Sequence, residues 1–235
     1  MLIAGNWKMN KTAEGTAEFC HALKARALPD EVDVAIFPAF TSLAAAVQAL
    51  ADTEIAVGAQ NVHWEEAGAF TGEVSAVMLR ELGVYAAIVG HSERRQYFGE
   101  TDESVSRRAA AALQAGLSVI ACVGELEAER EAGETEDVLR RQVLALPEDE
   151  DLVVAYEPVW AIGTGKTATA DQVREAHAFI KGLLDAKVLY GGSVSPENAA
   201  ELLAQDGVDG ALVGGASLDL DSFVAICETA ASIRS

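Results

Sequence analysis

Eight short apolar runs recur along the chain and are separated by stretches with helical signals. Each run has three to five residues: Leu2–Ala4, Val34–Phe37, Ile55–Val57, Ala86–Val89, Val119–Val123, Leu152–Ala155, Val188–Tyr190 and Ala211–Val213. Continuous apolar runs without alternation are typical of strands that are buried on both faces, as in parallel sheets. Because parallel strands need crossover connections, the pattern predicts eight parallel strands alternating with helices.

The stretches between the runs carry helix signals. Three of them place apolar residues on one helical face: Leu43, Val47 and Leu50; Val105, Ala109, Ala112 and Leu113; Val173, Ala176, Ile180 and Leu184. Thr169 and Gln172 form a predicted capping box at the start of the third stretch. Ser195 before Pro196 predicts another helix start, with the proline in the first helical position.

Eight parallel strands can close into a barrel or remain open as a doubly wound sheet. No G-x-G-x-x-G motif follows the first run, which disfavours an open dinucleotide-binding sheet. The 235 residues contain no linker or low-complexity segment, and α/β barrels of about 200–250 residues form one domain. We therefore predict a single-domain (β/α)8 barrel over residues 1–235, although periodicity alone does not establish closure.

Charge and cysteine content exclude several classes of partner. The chain has 17 Lys and Arg against 37 Asp and Glu, and this net charge of −20 argues against nucleic acid and anionic membranes. No apolar run is long enough to span a bilayer, and the first residues lack a signal-peptide pattern, so we expect a cytoplasmic protein. Cys20, Cys122 and Cys227 form no Cys/His cluster, which predicts free thiols and no metal site.

Ligands of a barrel bind where the strands end at the C-terminal face, so the residues after each run are informative. Glu157 follows the sixth run, where burial would fit a carboxylate for general-base catalysis; an ion pair with an arginine is the structural alternative. His91 ends the fourth run and could polarise a carbonyl or move a proton, unless it is a structural histidine. We interpret His21, His63 and His177 as structural residues without a catalytic role.

Positive charge and glycine-rich turns occur at the same predicted face. Lys8 lies two residues past the first strand and would share one mouth with Asn6, His91 and Glu157. Glycine pairs at 191–192 and 214–215 follow the last two runs, where barrels frequently bind phosphate through backbone N–H groups. Tight turns alone would also explain these glycines.

The segment from Pro158 to Ala168 predicts a mobile lid rather than a nucleotide-binding loop. Gly165-Lys166-Thr167 matches the end of a P-loop, but Trp160 stands where that motif needs its first glycine. Closure of a lid beginning next to Glu157 would bury the carboxylate and expel water.

Motifs along the whole chain resemble the triosephosphate isomerase family. They are Gly5–Asn10, Val89–Arg95, Ala155–Ala168, Leu189–Ser193 and Gly214–Leu218, and they occur in the family's order. The eleven-residue lid beside a glutamate is the most specific of them. The resemblance implies the TIM-barrel fold and interconversion of dihydroxyacetone phosphate and D-glyceraldehyde 3-phosphate in glycolysis and gluconeogenesis, without metal or cofactor.

The resemblance also implies a role for each matching residue. Glu157 would take a proton from the carbon beside the carbonyl, and neutral His91 would hydrogen-bond the carbonyl and enediolate oxygens. Lys8 would offset the negative charge, and Asn6 would orient the substrate. The phosphate would be bound by Gly163, Ser193, Gly214 and Gly215. The site would be supported by Glu93, Cys122 and Glu125.

The segment from Asn61 to Ser75 resembles the protruding third loop through which family members dock into a neighbouring subunit. Thr71 would then approach the partner's Asn6, which implies a homodimer. The alternative is an ordinary exposed loop. The sequence does not distinguish a dimer from a tetramer. The stretch between Asp171 and Lys187 is shorter than the family usually has, which predicts a trimmed helix before the seventh strand.

Two other functions fit the same barrel. One is a catalytically silent protein that only binds phosphosugars or a protein partner, and the presence of Glu157, His91 and Lys8 disfavours it. The other is a different phosphate-binding barrel enzyme, such as a sugar-phosphate isomerase of biosynthesis, which the complete lid motif disfavours.

Overall fold

The computed structural model describes residues 1–162 and 167–234, in which eight parallel strands form a closed barrel. The strands are β1 Leu2–Asn6, β2 Asp33–Phe37, β3 Ala56–Ala59, β4 Ala86–Val89, β5 Ser118–Val123, β6 Leu152–Tyr156, β7 Lys187–Tyr190 and β8 Gly210–Val213. Each strand pairs with the next in chain order, and β8 closes the barrel on β1 with Gly210 opposite Leu2. The predicted fold class is confirmed, and each predicted strand is present.

The helices of the described residues cover the outside of the barrel. They are α1 Ala13–Lys24, α2 Leu43–Leu50, α3 Ala76–Leu82, α4 Ser92–Phe98, α5 Asp102–Gln114, α6 Glu127–Glu131, α7 Thr135–Leu144, α8 Ala170–Leu183, α9 Ala199–Leu203 and α10 Leu220–Arg234. The predicted capping box starts α8: Gln172 N–H donates to Thr169 Oγ1 at 3.3 Å, and Thr169 N–H donates to Gln172 Oε1 at 2.9 Å. In the described part of the chain, no helix is both long and apolar enough to cross a membrane.

The predicted helix start at Ser195 is wrong, because α9 begins at Ala199. The side chain of Asn198 forms a turn instead: its Oδ1 accepts the N–H of Ser195 at 2.8 Å, and its Nδ2 donates to Ser193 O at 3.1 Å. Asparagine side chains often form such local bonds to backbone groups at turns and helix starts. The turn fixes the chain just after β7, where Ser193 lies.

Apolar residues form two layers, one inside the barrel and one between strands and helices. The inner layer is small: Ala4, Ala35, Phe37, Ala86, Ile88, Ile120, Cys122, Ala155, Leu189 and Leu212. Phe37 fills space that Gly58 leaves open, since a Cβ at Gly58 would lie 2.0 Å from the Phe37 ring. The outer layer contains most of the remaining buried aliphatic residues and fixes the helices against the strands.

His177 occupies the structural position that the sequence predicts, buried on α8 behind β6. Its Nδ1 lies 3.2 Å from Gly207 O, and its ring meets Tyr156 edge-on with centroids 6.0 Å apart. Burial lowers the pKa of His177 to about 4. The unfolded chain therefore binds a proton between pH 6.5 and 4 that the folded chain does not, so His177 stabilises the fold fully above pH 6.5 and less as the pH falls.

The free energy of unfolding should decrease between pH 6.5 and 4, and we expect this decrease to be about 3 kcal/mol smaller in His177→Leu than in the wild type. The reason is that a pKa difference of one unit corresponds to about 1.4 kcal/mol. The measurement is urea unfolding of both proteins across this pH range. His21→Leu, at an exposed position on α1, is the matched control. Parallel stability curves for wild type and His177→Leu would contradict the assignment.

Candidate active site

A pocket of about 350 Å³ opens at the C-terminal ends of the strands. Its walls include seven of the residues that the sequence predicts for the site: Asn6, Lys8, His91, Glu157, Ser193, Gly214 and Gly215. They follow or end β1, β4, β6, β7 and β8. Gly163 and the tip of the predicted lid lie outside the described residues.

Two larger cavities, of about 600 and 800 Å³, lie beside Trp64 and at the opposite end of the barrel. Neither contains these residues.

Glu157 lines this pocket and is deeply buried, with 2% of its surface exposed. Its Oε1 lies 3.0 Å from His91 Nε2, and its Oε2 accepts the N–H of Ser92 at 2.8 Å. Burial alone would raise the pKa of Glu157, but His91, the Ser92 amide and Lys8 together lower it below its usual range. Glu157 is thus a carboxylate at neutral pH, and its observed partners include no arginine among the described residues.

His91 is 6% exposed and stands at the beginning of α4. Its Nδ1 accepts the N–H of Glu93 at 3.3 Å, so a neutral His91 ring carries its proton on Nε2, which faces Glu157. Burial lowers the pKa of His91, yet the carboxylates of Glu157 and Glu93 outweigh it and raise the pKa above its usual value. This direction opposes the neutral His91 that the resemblance implies, and the contact with Glu157 is its main cause.

Lys8 reaches the pocket from an unusual backbone conformation, with φ of 51°. Such a left-handed conformation at a residue other than glycine costs roughly 1–3 kcal/mol unless its surroundings impose it. Here Asn6 Oδ1 accepts the N–H of Lys8 at 3.1 Å, and Gln60 Nε2 donates to Lys8 O at 2.8 Å. Gln60 directly follows β3, but no sequence motif assigned this role to it.

The ammonium group of Lys8 is paired within the site. Its Nζ lies 2.5 Å from Glu93 Oε1, which agrees with the supporting position predicted for Glu93. Lys8 also lies close to the second glycine pair, since a Cβ at Gly214 would be 3.8 Å from Lys8 Cε. A cation and an open glycine turn therefore share one wall of the pocket.

Glycines beside Glu157 provide space that no other residue would leave. A Cβ at Gly191 would lie 2.8 Å from Glu157 Cγ, and one at Gly192 would lie 2.2 Å from the Tyr190 hydroxyl. Among the described residues beyond its chain neighbours, none has an atom within 4 Å of a Cβ built at Gly215. Ser193 Oγ donates to Ala161 O at 2.8 Å, so its hydroxyl is already engaged at the start of the predicted lid.

Glu125 and Cys122 lie behind the pocket rather than in it. Glu125 is fully buried and accepts bonds from Trp160 Nε1 and Arg130 Nη1, both at 2.9 Å, and from the hydroxyl of Tyr156. Cys122 points into the barrel beside Glu157, and burial together with that carboxylate raises the pKa of its thiol well above the usual value. Both positions fit supporting roles.

Within residues 1–162 and 167–234, no group of three or more His, Cys, Asp or Glu side chains could hold a metal ion.

Comparison with known proteins gives a consistent picture over nearly the whole chain. A family model described as triosephosphate isomerase matches residues 1–230. A protein of Moorella thermoacetica named triosephosphate isomerase is 52% identical over 240 residues, which covers 96% of each chain. Proteins with the same name from Solibacter usitatus and Alkaliphilus metalliredigens are 51% and 48% identical, each covering 96% of this chain and 97% of the relative.

Proposed function

Since this chain belongs to the triosephosphate isomerase family, we propose that the pocket at the strand ends is its active site and that Glu157 is the catalytic base. The protein is an isomerase that interconverts dihydroxyacetone phosphate and D-glyceraldehyde 3-phosphate, a step of glycolysis. The observation that carries the assignment of the site is the buried pair of Glu157 Oε1 and His91 Nε2, 3.0 Å apart and open to the pocket.

Proton transfer within the substrate follows from this pair. Glu157 removes a proton from the carbon beside the carbonyl, and the electron pair of that C–H bond forms the enediolate. Its two oxygens lie within reach of the His91 Nε2–H, which donates to the carbonyl oxygen and moves protons between the oxygens. Glu157 then returns its proton to the neighbouring carbon. When substrate separates Glu157 from His91, the main cause of the raised His91 pKa is removed, which favours the neutral ring.

The substrate is an anion and the protein has a net charge of −20, so binding requires favourable groups in direct contact with the substrate. We propose that Lys8 and Asn6 stabilise the developing oxyanion and that Ser193, Gly214 and Gly215 bind the phosphate; all five residues line the pocket. Groups at contact distance act fully, whereas surface charges are screened beyond about 8–10 Å at physiological salt. This arrangement explains how an acidic protein can bind an anion.

A coupled assay with glyceraldehyde 3-phosphate, run without added metal and in the presence of a chelator, tests the proposed site. We expect rapid turnover by the wild type and loss of turnover in Glu157 variants. Wild-type rates in those variants would contradict the assignment of Glu157, and absence of turnover in the wild type would contradict the activity.

We also propose a homodimer. The loop from residue 61 to 75 is closed at its base, where His63 N–H donates to Val74 O at 2.8 Å, while Thr71 at its tip is exposed. Large apolar side chains elsewhere are strongly exposed as well, such as Met9 (95%), Tyr97 (75%) and Phe98 (67%). Burial of such side chains is the main favourable contribution to most protein association. A second copy of the chain that receives this loop would cover these apolar side chains.

Thr71→Arg should weaken the dimer, because a bulky charge at the loop tip would have to enter the partner subunit. Sedimentation velocity across a range of concentrations would then show a monomer fraction that the wild type lacks. Ala132→Arg, which adds the same charge at another exposed position, should leave the dimer intact. An unchanged dimer in Thr71→Arg would contradict the interface.

We further infer a cytoplasmic location. Cys20, Cys122 and Cys227 are all unpaired and buried, which is typical of proteins in a reducing compartment.

A further inference from the structure

The C-terminal end of β5 extends past its neighbour β4, directly between the strands that carry His91 and Glu157. The two strands pair from Ala86 opposite Ser118 to Val89 opposite Ala121. Gly90, with φ of 67°, then turns the chain away, and the carbonyl of His91 accepts the N–H groups of Arg94 and Arg95. Among the described residues, the last part of β5 therefore has no strand beside it on that side.

Hydrogen-bond alternation shows which groups face this gap. In a parallel strand, the N–H and C=O of one residue face the same neighbouring strand, and the next residue faces the other. Ser118 N–H donates to Tyr85 O on the β4 side, and Val123 O accepts Glu157 N–H on the β6 side. It follows that Cys122 and Gly124 face the gap, and buried backbone groups need partners.

Two side chains supply those partners in place of the missing strand. Gln142, on α7 and only 6% exposed, bonds both groups of Gly124: Gly124 N–H donates to its Oε1 at 2.7 Å, and its Nε2 donates to Gly124 O at 3.3 Å. Arg95 donates from Nη2 to Cys122 O at 3.3 Å and from Nε to Gly90 O at 2.9 Å.

Gly124 in turn is packed directly against the main chain of Glu157. A Cβ at Gly124 would lie 1.8 Å from Glu157 O, and Glu157 N–H donates to Val123 O at 2.7 Å. Residues 123 and 124 thus fix the backbone from which the carboxylate of Glu157 extends. A shift of this segment would be passed on to the base.

We propose that Gln142 is a positioning residue for catalysis: its carboxamide replaces the absent strand at Gly124 and so fixes the backbone of Glu157. This inference rests on the proposed role of Glu157 as the base. Gln142 is not among the described residues that line the pocket, and its carboxamide bonds Gly124. No sequence motif pointed to it.

The first test is Gln142→Met, which keeps the length of the side chain and removes both hydrogen bonds. We expect kcat to fall about 10-fold while KM changes less than about 2-fold, because displacement of a catalytic group affects the chemical step more than substrate binding. Gln205→Met is the matched control, since it removes a bond from Gln205 Nε2 to Glu201 O far from the pocket. Rates are compared at a temperature where circular dichroism shows all variants folded.

Gln142→Glu provides a second variant if Gln142→Met does not fold. It keeps an acceptor for Gly124 N–H and loses the donor to Gly124 O, so we again expect a lower kcat. Faster hydrogen exchange at the Gly124 amide in Gln142→Met would report the lost bond independently of activity. A kcat within about 2-fold of the Gln205→Met control in every folded Gln142 variant would overturn the proposal.

A double-mutant cycle separates this proposal from the assignment of the base. In a Glu157→Asp background, Gln142→Met should lower kcat less than about 3-fold, because the base is already displaced. An equal loss in both backgrounds would show that Gln142 acts independently of Glu157 and would overturn the inference. Retention of wild-type kcat by Glu157→Asp alone would instead refute the proposed base.

Discussion

Glu157→Asp is expected to lower kcat by about 100-fold and to change KM little, because retraction of the carboxylate by one methylene moves the base away from the substrate carbon. The bonds from Ser92 N–H and His91 Nε2 hold the longer side chain in the wild type. A shorter side chain cannot keep the bond from Ser92 N–H and also reach the substrate carbon. Steady-state kinetics in both directions of the reaction measure the effect.

Glu157→Gln is the matched variant, because it keeps the length of the side chain and removes its basicity. We expect a larger loss of kcat than in Glu157→Asp, with the Ser92 N–H still bonded to the remaining carbonyl oxygen. If the carboxylate served only as a structural partner of His91, Glu157→Gln would be the milder change. The order of the two losses therefore distinguishes a base from a structural ion pair.

The fold could be predicted because its signals are local. Each strand is buried on both faces, so every one of them is an apolar run that can be recognised without its neighbours, from Leu2–Ala4 to Ala211–Val213. Closure depends on pairing between β1 and β8, which are 208 residues apart at the facing pair Leu2 and Gly210, and periodicity does not report such pairing. The helix start predicted at Ser195 lies before α9, because the bonds of the Asn198 side chain close a turn there instead.

Most of the candidate site could be predicted from strand ends and motifs, but its support could not. Lys8, His91 and Glu157 each follow a strand and converge because parallel strands end at one face. Gln142 lies on a helix among charged residues, and its importance depends on a gap between β4 and β5 that only the three-dimensional structure shows. The raised pKa of His91 likewise depends on a 3.0 Å contact across the barrel.

Lys8→Met should weaken substrate binding and catalysis together, lowering kcat/KM by about 100- to 1000-fold, the usual effect of losing one group that stabilises an oxyanion. Among the described residues that line the pocket, Lys8 is the single Lys or Arg. Its loss also leaves the carboxylate of Glu93, now 2.5 Å from Lys8 Nζ, without this partner. Lys8→Met combined with Glu93→Gln measures how much of the effect comes from that exposed anion.

Lys187→Met is the control that separates local from global charge. It removes the same positive charge at the beginning of β7, at the opposite end of the barrel from the pocket. Its effect on KM should be small and should vanish at high salt, because charges beyond about 10 Å are screened. The effect of Lys8→Met should persist at high salt, since its ammonium group acts at contact distance. Losses of kcat/KM that are equal in both variants and that vanish at high salt would contradict this role of Lys8. They would show that substrate binding depends only on the overall charge of the protein.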